Sequence, residues 1–398
     1  MKKLDDRSHD TSHFGPRALA SHSLSRSSRG RVGWGQTRVV SMLRHPHPNP
    51  PPQAEEGAQH RKLRPGRNFG IAGLVTLAAG ITVGLSLSTA QAADPVTIQL
   101  KWVAQAQFAG YFVAKEKGFY KDAGLDVTIK PGGPDVAPPQ VIAGGGADVV
   151  VDWMPSALAS REKGVPLVNI SQTFKKSGLE LTCRADTGIK KPADFKGKTI
   201  GVWYGGNEYP FLSWMSKLDI KTDGSPGGIK IIKQGFNVDP ILQKQADCVS
   251  TMTYNEYWQV IDGGYKPSQL VVFKYEDEGV ATLEDGLYVL EKNLKDPAFV
   301  TKMAKFVKAS MKGWDYAKSH PDEAVKIILA GDTTGAKTEK DQKRMMTEIA
   351  KLLGAADGKL DVKDYDRTVA TLLSGGSDPV ITKKPEGAYT FAVYDAMK

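Results

Sequence analysis

Between residues 95 and 290, short apolar runs rich in β-branched residues alternate with segments whose apolar positions recur at helical spacing. Gly, Pro or Asp bounds most of the runs. This pattern predicts strands at 96–100, 125–130, 148–151, 167–172, 179–184, 199–203, 229–234, 247–252, 270–274 and 286–290. Helices are expected between them, at 109–118, 136–144, 155–163, 207–218 and 238–244. Such alternation predicts an α/β fold with mostly parallel sheets.

The last hundred residues read differently. Segments 297–319, 321–329, 339–353 and 362–374 have helical periodicity and no strand between them. Two lobes fit this order. Lobe 1 takes 94–178 plus 283–398, including the C-terminal helices, and lobe 2 takes 179–282. The chain then crosses twice, near Lys176-Ser177-Gly178 and near 278–282, which makes a hinge. Ligands of open α/β sheets gather at the carboxyl ends of strands, so the cleft between the lobes is the expected site.

Charge changes the picture only once it is located. The chain carries a net +9. Residues 1–93 hold 13 Lys/Arg against 5 Asp/Glu, while 94–398 hold 40 against 39. The folded part is nearly neutral and carries no nucleic-acid footprint. Six of the seven histidines also precede residue 61, leaving His320. A zinc site usually needs several His or Cys ligands, and the chain's two cysteines cannot supply them. No metal site and no Ser-His-Asp triad is expected.

The N-terminus reads as processing sequence. Arg61, Lys62, Arg64 and Arg67 form a basic region, 69–87 is apolar and uncharged, and Ala90-Gln91-Ala92 is a cleavage-type site. The apolar stretch is long enough to anchor a protein in a bilayer, but the small-residue site and the strand directly after it favour cleavage. Residues 61–92 are therefore expected to be a signal peptide, with a periplasmic product. Residues 1–60, with the run HPHPNPPPQ at 45–53, have little to bury and are expected to be a disordered basic tail. Either it is a functional arm, or the true start lies downstream; the composition favours the second.

Candidate ligand contacts cluster after strands. Trp102 follows the first strand, with Gln107 and Phe108 at the start of the next helix. Asp152 and Trp153 follow the third strand and precede Pro155, a first-turn residue. In lobe 2, Tyr204-Gly205-Gly206-Asn207-Glu208 follows a strand. Two glycines there allow close backbone approach, while Glu208 suits an amino or ring N–H donor rather than an anion. Asn237 follows another strand, and Tyr254 and Glu256 a third. Aromatic faces with amide and carboxylate edges suit a flat, neutral or weakly charged heterocycle. Tyr111, Phe119, Tyr120 and Trp214 lie on helix faces among apolar neighbours and are assigned to the core.

The motifs AKEKGFYKDAGLDVTI (114–129), GGGADVVVDW (144–153), SREKGVPLVNI (160–170), KPADFKGKTIGVWYG (191–205) and MTYNE (252–256) are fairly specific together. Through them, residues 95–395 resemble the thiamine-pyrimidine-synthase-like and alkylsulfonate-binding superfamily of ABC-importer solute receptors. The resemblance implies a type II periplasmic-binding-protein fold. It also implies a monomer that works with a membrane permease and ATPase and captures a small molecule by hinge closure, without a cofactor. A thiamine-type pyrimidine or similar vitamin precursor is favoured; an alkylsulfonate or nitrate is the alternative.

The same superfamily contains a single-turnover pyrimidine synthase that consumes pyridoxal phosphate and one of its own histidines. Its Lys position is Asp152 here and its His position is Ser156. A carboxylate cannot form a Schiff base, so a receptor is expected rather than an enzyme. A ligand-binding sensor on the same frame is a third class, but no appended signalling domain supports it. Cys183 and Cys248 both fall in lobe 2 strands. Export would permit a disulfide between them, and two buried thiols are the alternative.

Overall fold

Ten strands form among the described residues: β1 (Asp94–Gln99), β2 (Leu125–Lys130), β3 (Val149–Asp152), β4 (Leu167–Gln172), β5 (Leu179–Arg184), β6 (Thr199–Val202), β7 (Lys230–Lys233), β8 (Cys248–Met252), β9 (Leu270–Lys274) and β10 (Gly286–Leu290). The structure is a computed structural model that describes residues 92–398 except 236, 333, 334, 336 and 375–378. The tail at 1–60 and, but for Ala92, the signal segment at 61–92 lie outside the described residues.

The strands make two five-stranded sheets, ordered β2-β1-β3-β10-β4 and β7-β6-β8-β5-β9. In the first, β1 runs parallel to β2 and β3, while β10 is antiparallel to β3 and β4. In the second, β6 runs parallel to β7 and β8, while β5 is antiparallel to β8 and β9. The sheets are therefore mostly parallel, as the sequence pattern suggested, with one strand reversed in each, β10 and β5. The reason is connectivity. A parallel neighbour needs a crossover helix to return the chain, whereas β5 and β10 are entered directly from the segments that cross between the sheets.

Twelve α-helices surround the sheets among the described residues. They are α1 (Ala109–Glu116), α2 (Phe119–Asp122), α3 (Pro138–Ala143), α4 (Met154–Glu162), α5 (Tyr209–Lys217), α6 (Asp239–Leu242), α7 (Glu256–Asp262), α8 (Pro297–Ser319), α9 (Pro321–Ala330), α10 (Glu339–Leu353), α11 (Val362–Leu373) and α12 (Ala392–Asp395). Local chemistry sets several starts. Proline stands in the first turn of α4, α5, α8 and α9, where its missing amide costs nothing. Asp296, Thr338 and Asp361 accept backbone N–H bonds as N-caps of α8, α10 and α11.

The main core joins both sheets. Trp314 of α8 is fully buried and meets Tyr111 of α1 edge-on at 5.6 Å. Phe174 touches both Trp314 and Tyr254, at 6.1 and 6.5 Å between ring centres. Aromatic packing thus runs unbroken from the first half, through the crossover, to the second. Tyr120 and Trp214 are buried and Phe119 packs against the same cluster, as their helix-face positions suggested. The edge of β4 is covered by the C-terminal segment: Asn169 N–H donates to the Ala388 carbonyl and Thr390 N–H to the Asn169 carbonyl. That removes an open edge that could pair with another chain.

Candidate functional site

A narrow cleft opens between the sheets, at the carboxyl ends of β1, β3, β6 and β8. Lys101, Trp102, Gln105, Gln107 and Trp153 line it from the first half. Trp203, Asn207, Met252, Tyr254, Asn255 and Glu256 line it from the second. Four aromatic rings therefore face one another's side of the cleft, with amide and carboxylate groups between them.

Hydrogen bonds fix the polar edges. Gln107 is buried; its Nε2 donates to Asp285 Oδ2 at 2.8 Å and its Oε1 accepts from Gln105 Nε2 at 2.8 Å. Trp153 Nε1 donates to the other Asp285 oxygen at 2.9 Å, and Trp203 Nε1 donates to the Gly235 carbonyl. Opposite them, the buried Glu256 accepts from the Met252 N–H at 3.1 Å and from Asn255 Nδ2 at 2.7 Å. Burial pushes the Glu256 carboxyl up to about 7, because a charge there loses its hydration.

Lys101 is the one cation of this wall, and it is paired. Its Nζ lies 2.9 Å from Asp152 Oδ1 and 5.5 Å from the centre of the Trp153 ring. Both partners of the ion pair are buried. The Trp153 N–H also donates to Asp152 Oδ1.

Of the residues singled out in the sequence, Trp102, Gln107, Trp153, Tyr254 and Glu256 come together in this wall. The other five do not line it. Phe108 is fully buried in the core. Asp152 lies beneath the wall, engaged with Lys101 and the Trp153 amide. Tyr204 is 46% exposed, because β6 ends at Val202 and Trp203 takes the inward position. Glu208 accepts the Gly206 N–H at 2.7 Å, so its carboxylate is engaged within its own loop. Asn237 is exposed and accepts the Asp239 N–H in a local turn. Cys183 and Cys248 stand opposite each other on β5 and β8 and form a disulfide.

Sequence reasoning missed Lys101, Gln105, Trp203, Asn207, Met252 and Asn255, all within two residues of positions it did name. It also missed Asp285. The signal was present there: two adjacent acids, Glu284-Asp285, stand directly before an apolar strand at the expected crossover.

The halves meet closely beside the cleft. Gly206 has φ +100°, and a Cβ placed there would lie 2.6 Å from Ser156 Cβ. Only glycine lets this loop of the second half rest on the first turn of α4.

A family model described as NMT1/THI5 like matches residues 105–324. The chain belongs to the NMT1/THI5-like family. This NMT1/THI5-like chain is 25% identical over 247 residues to the formylaminopyrimidine-binding protein of Halalkalibacterium halodurans, covering 60% of the chain and 71% of the relative. It is 26% identical over 246 residues to the 4-amino-5-hydroxymethyl-2-methylpyrimidine phosphate synthase of Candida albicans, covering 58% and 71%. Among solved structures, it is similar to the ligand-binding component of an ABC-type import system from Staphylococcus aureus, solved with zinc bound. That match has a TM-score of 0.57 at 12% identity and covers 77% and 99% of the two chains. The architecture is the periplasmic-binding-protein fold, the fold of ABC-importer solute-binding proteins. Among the described residues, no group of three or more His, Cys, Asp or Glu is placed to hold a metal ion.

Proposed function

We propose that this chain is the exported solute receptor of an ABC importer, and that it captures a flat amino-heterocycle of the thiamine-pyrimidine type between its two lobes. Residues 94–178 with 283–398 form one lobe, 179–282 the other, and closure at the two crossovers buries the ligand. The observation that carries this reading is the wall itself. Trp102, Trp153, Trp203 and Tyr254 offer ring faces from both halves, and Glu256, Asn207 and Gln107 offer polar edges. Stacking supplies area, and a carboxylate with amides selects a ring bearing N–H donors.

The charge balance argues against the anionic alternatives. An alkylsulfonate or nitrate needs an available cation, and Lys101 is held by Asp152. The residues also favour binding over catalysis. Ser156, at the position of the synthase's consumed histidine, carries no imidazole and abuts the Gly206 loop. His320 instead stacks on Tyr316 at the α8–α9 junction.

A thermal-shift screen with 4-amino-5-hydroxymethyl-2-methylpyrimidine, riboflavin, an alkylsulfonate and nitrate tests the reading. A ligand that binds only the folded state raises the melting temperature by mass action. The pyrimidine should raise it, and Trp102→Ala should weaken binding by about 1–3 kcal/mol, as loss of a stacking face does. A rise with nitrate or sulfonate alone would overturn the ligand class, and turnover of pyridoxal phosphate to a pyrimidine would overturn the receptor reading.

A further inference from the structure

Glu284 and Asp285 are both buried, and they sit where the chain returns from the second sheet to the first. Their backbone is fixed. Gln172 Nε2 donates to the Glu284 carbonyl, and the Phe174 N–H donates to that of Asp285. From this fixed point the two side chains reach in different directions. Glu284 Oε1 accepts from Ser177 Oγ at 2.5 Å, from Gly178 N–H at 2.9 Å and from Leu179 N–H at 3.0 Å. Those three residues are the other crossing segment. Asp285 holds Gln107 and Trp153, which are ligand-wall residues from two different elements.

We propose that Asp285 is the positioning residue of the ligand wall and that, with Glu284, it ties that wall to the paired segments on which the halves hinge. The proposal deepens the receptor reading and rests on it for the meaning of the wall. Asp285 does not line the cleft. It acts by accepting one bond on each oxygen, which sets the Trp153 ring plane and the Gln107 amide together. Such an arrangement needs the ionised form, since a protonated carboxyl gives up one acceptor position. A neutral amide offers only one acceptor oxygen and would set a donor against a donor.

The neighbourhood of Asp285 makes its ionisation sensitive to pH. Burial raises its carboxyl to about 6; the Gln107 and Trp153 bonds and the Lys101 charge oppose this, and Asp152 adds to it. Glu284 beside it is raised by burial to about 8. Tyr111, Tyr254 and Tyr288 face the same region, and burial raises all three hydroxyls beyond any physiological range. Glu256 lies across the cleft. The sign follows: Asp285 accepts both bonds above about 6 and releases one below it, so the wall should loosen as pH falls.

Two measurements on the full chain test this, one of them without any ligand. In ¹⁵N-labelled protein, the Trp153 indole N–H signal is assigned by its loss in Trp153→Phe and followed through a pH titration. It should show a transition near 6 that is absent in Asp285→Asn and kept in Glu284→Gln. An invariant wild-type signal, or the same transition in Asp285→Asn, would sink the proposal. If Asp285→Asn is not recovered folded, the wild-type titration decides alone. In the second measurement, calorimetry with 4-amino-5-hydroxymethyl-2-methylpyrimidine at neutral pH should show binding about tenfold or more weaker in Asp285→Asn, as loss of charge-assisted bonds predicts. Equal affinity would also overturn the proposal. If the wild type ignores the pyrimidine, the assigned ligand class fails, and the indole titration still decides the role of Asp285.

Discussion

In the first half of the molecule, the strand arriving from the crossover, β10, lies between β3 and β4 with every residue buried. It sits inside a half jacketed by the long C-terminal helices, α8 alone having 23 residues. In the second half the equivalent strand, β5, lies between β8 and β9 and is also fully buried. The helices around it are short: α5 has 9 residues, α6 has 4 and α7 has 7. That half shares the main core through Phe195, Trp214, Phe273 and Tyr275, whose rings pack together, and adds a small separate cluster around Val238, Ile241, Val249 and Val260. It also has a covalent bond from β5 to β8, between Cys183 and Cys248. One strand plan is thus jacketed by long helices on one side, and packed against shorter helices and crossed by a disulfide on the other.

The largest test of this comparison removes the disulfide. The bond joins residues 65 apart in sequence, and a loop of that length lowers unfolded-state entropy by an amount worth about 4 kcal/mol. A Cys183→Ala/Cys248→Ala double variant should lose stability on that scale. Hydrogen exchange should show where: amides of β5, β8 and β9 should lose protection well before those of β1, β3 and β10. Equal loss in both sheets would mean the bond stabilises the molecule as a whole, and the contrast between the halves would fall.

The next test strikes the other half. At the α1–α8 contact, a Cβ on Gly313 would lie 2.1 Å from the Gly110 carbonyl oxygen and 2.8 Å from Ala114 Cβ. Both helices are rigid and the nearest atom is backbone, so the clash is relieved only by separating them. Gly313→Ala should cost about 1–3 kcal/mol or more, read as a lower midpoint in urea. It should loosen Trp314 and the first sheet while leaving the second protected. A neutral outcome would show that the helix jacket is not what secures β10.

How much of this was legible in the sequence follows from the kind of information each feature needs. All ten strands were visible within two residues of their bounds, because β-branched runs between Gly, Pro and Asp are local signals. The reversed strand in each otherwise parallel sheet was not, since strand direction depends on which segments cross between halves. Side-chain facing at strand ends failed for a sharper reason. Ending the sixth strand at Trp203 rather than Val202 shifts the parity by one, and a one-residue shift sends a side chain to the opposite face. Trp203 therefore faces the cleft and Tyr204 faces solvent. Glu208 was read as a ligand group because its own loop amide, the Gly206 N–H, was not counted as its partner. Asp285 lies far along the chain from Gln107 and Trp153, and no local pattern joins them.

The smallest expected effect lies where the two halves touch across the outside of the cleft. Asp262, at the end of α7, meets Lys340 at 2.9 Å and Arg344 at 2.5 Å, both on α10. The Arg344 guanidinium lies 4.9 Å over the Trp258 ring. The Lys340 and Arg344 bonds hold the Asp262 carboxyl below its ordinary range. Asp262 and Lys340 are exposed and Arg344 is partly so; at such a surface a pair contributes about 1 kcal/mol or less and salt screens it. Asp262→Asn should therefore quicken release of the pyrimidine by less than about fivefold, and the difference should shrink as salt is added. Stopped-flow release rates at low and high ionic strength measure this directly. A large effect that salt leaves unchanged would move the main hold between the halves from the buried crossover, with Glu284 and the Phe174–Tyr254 contact, to this exposed bridge.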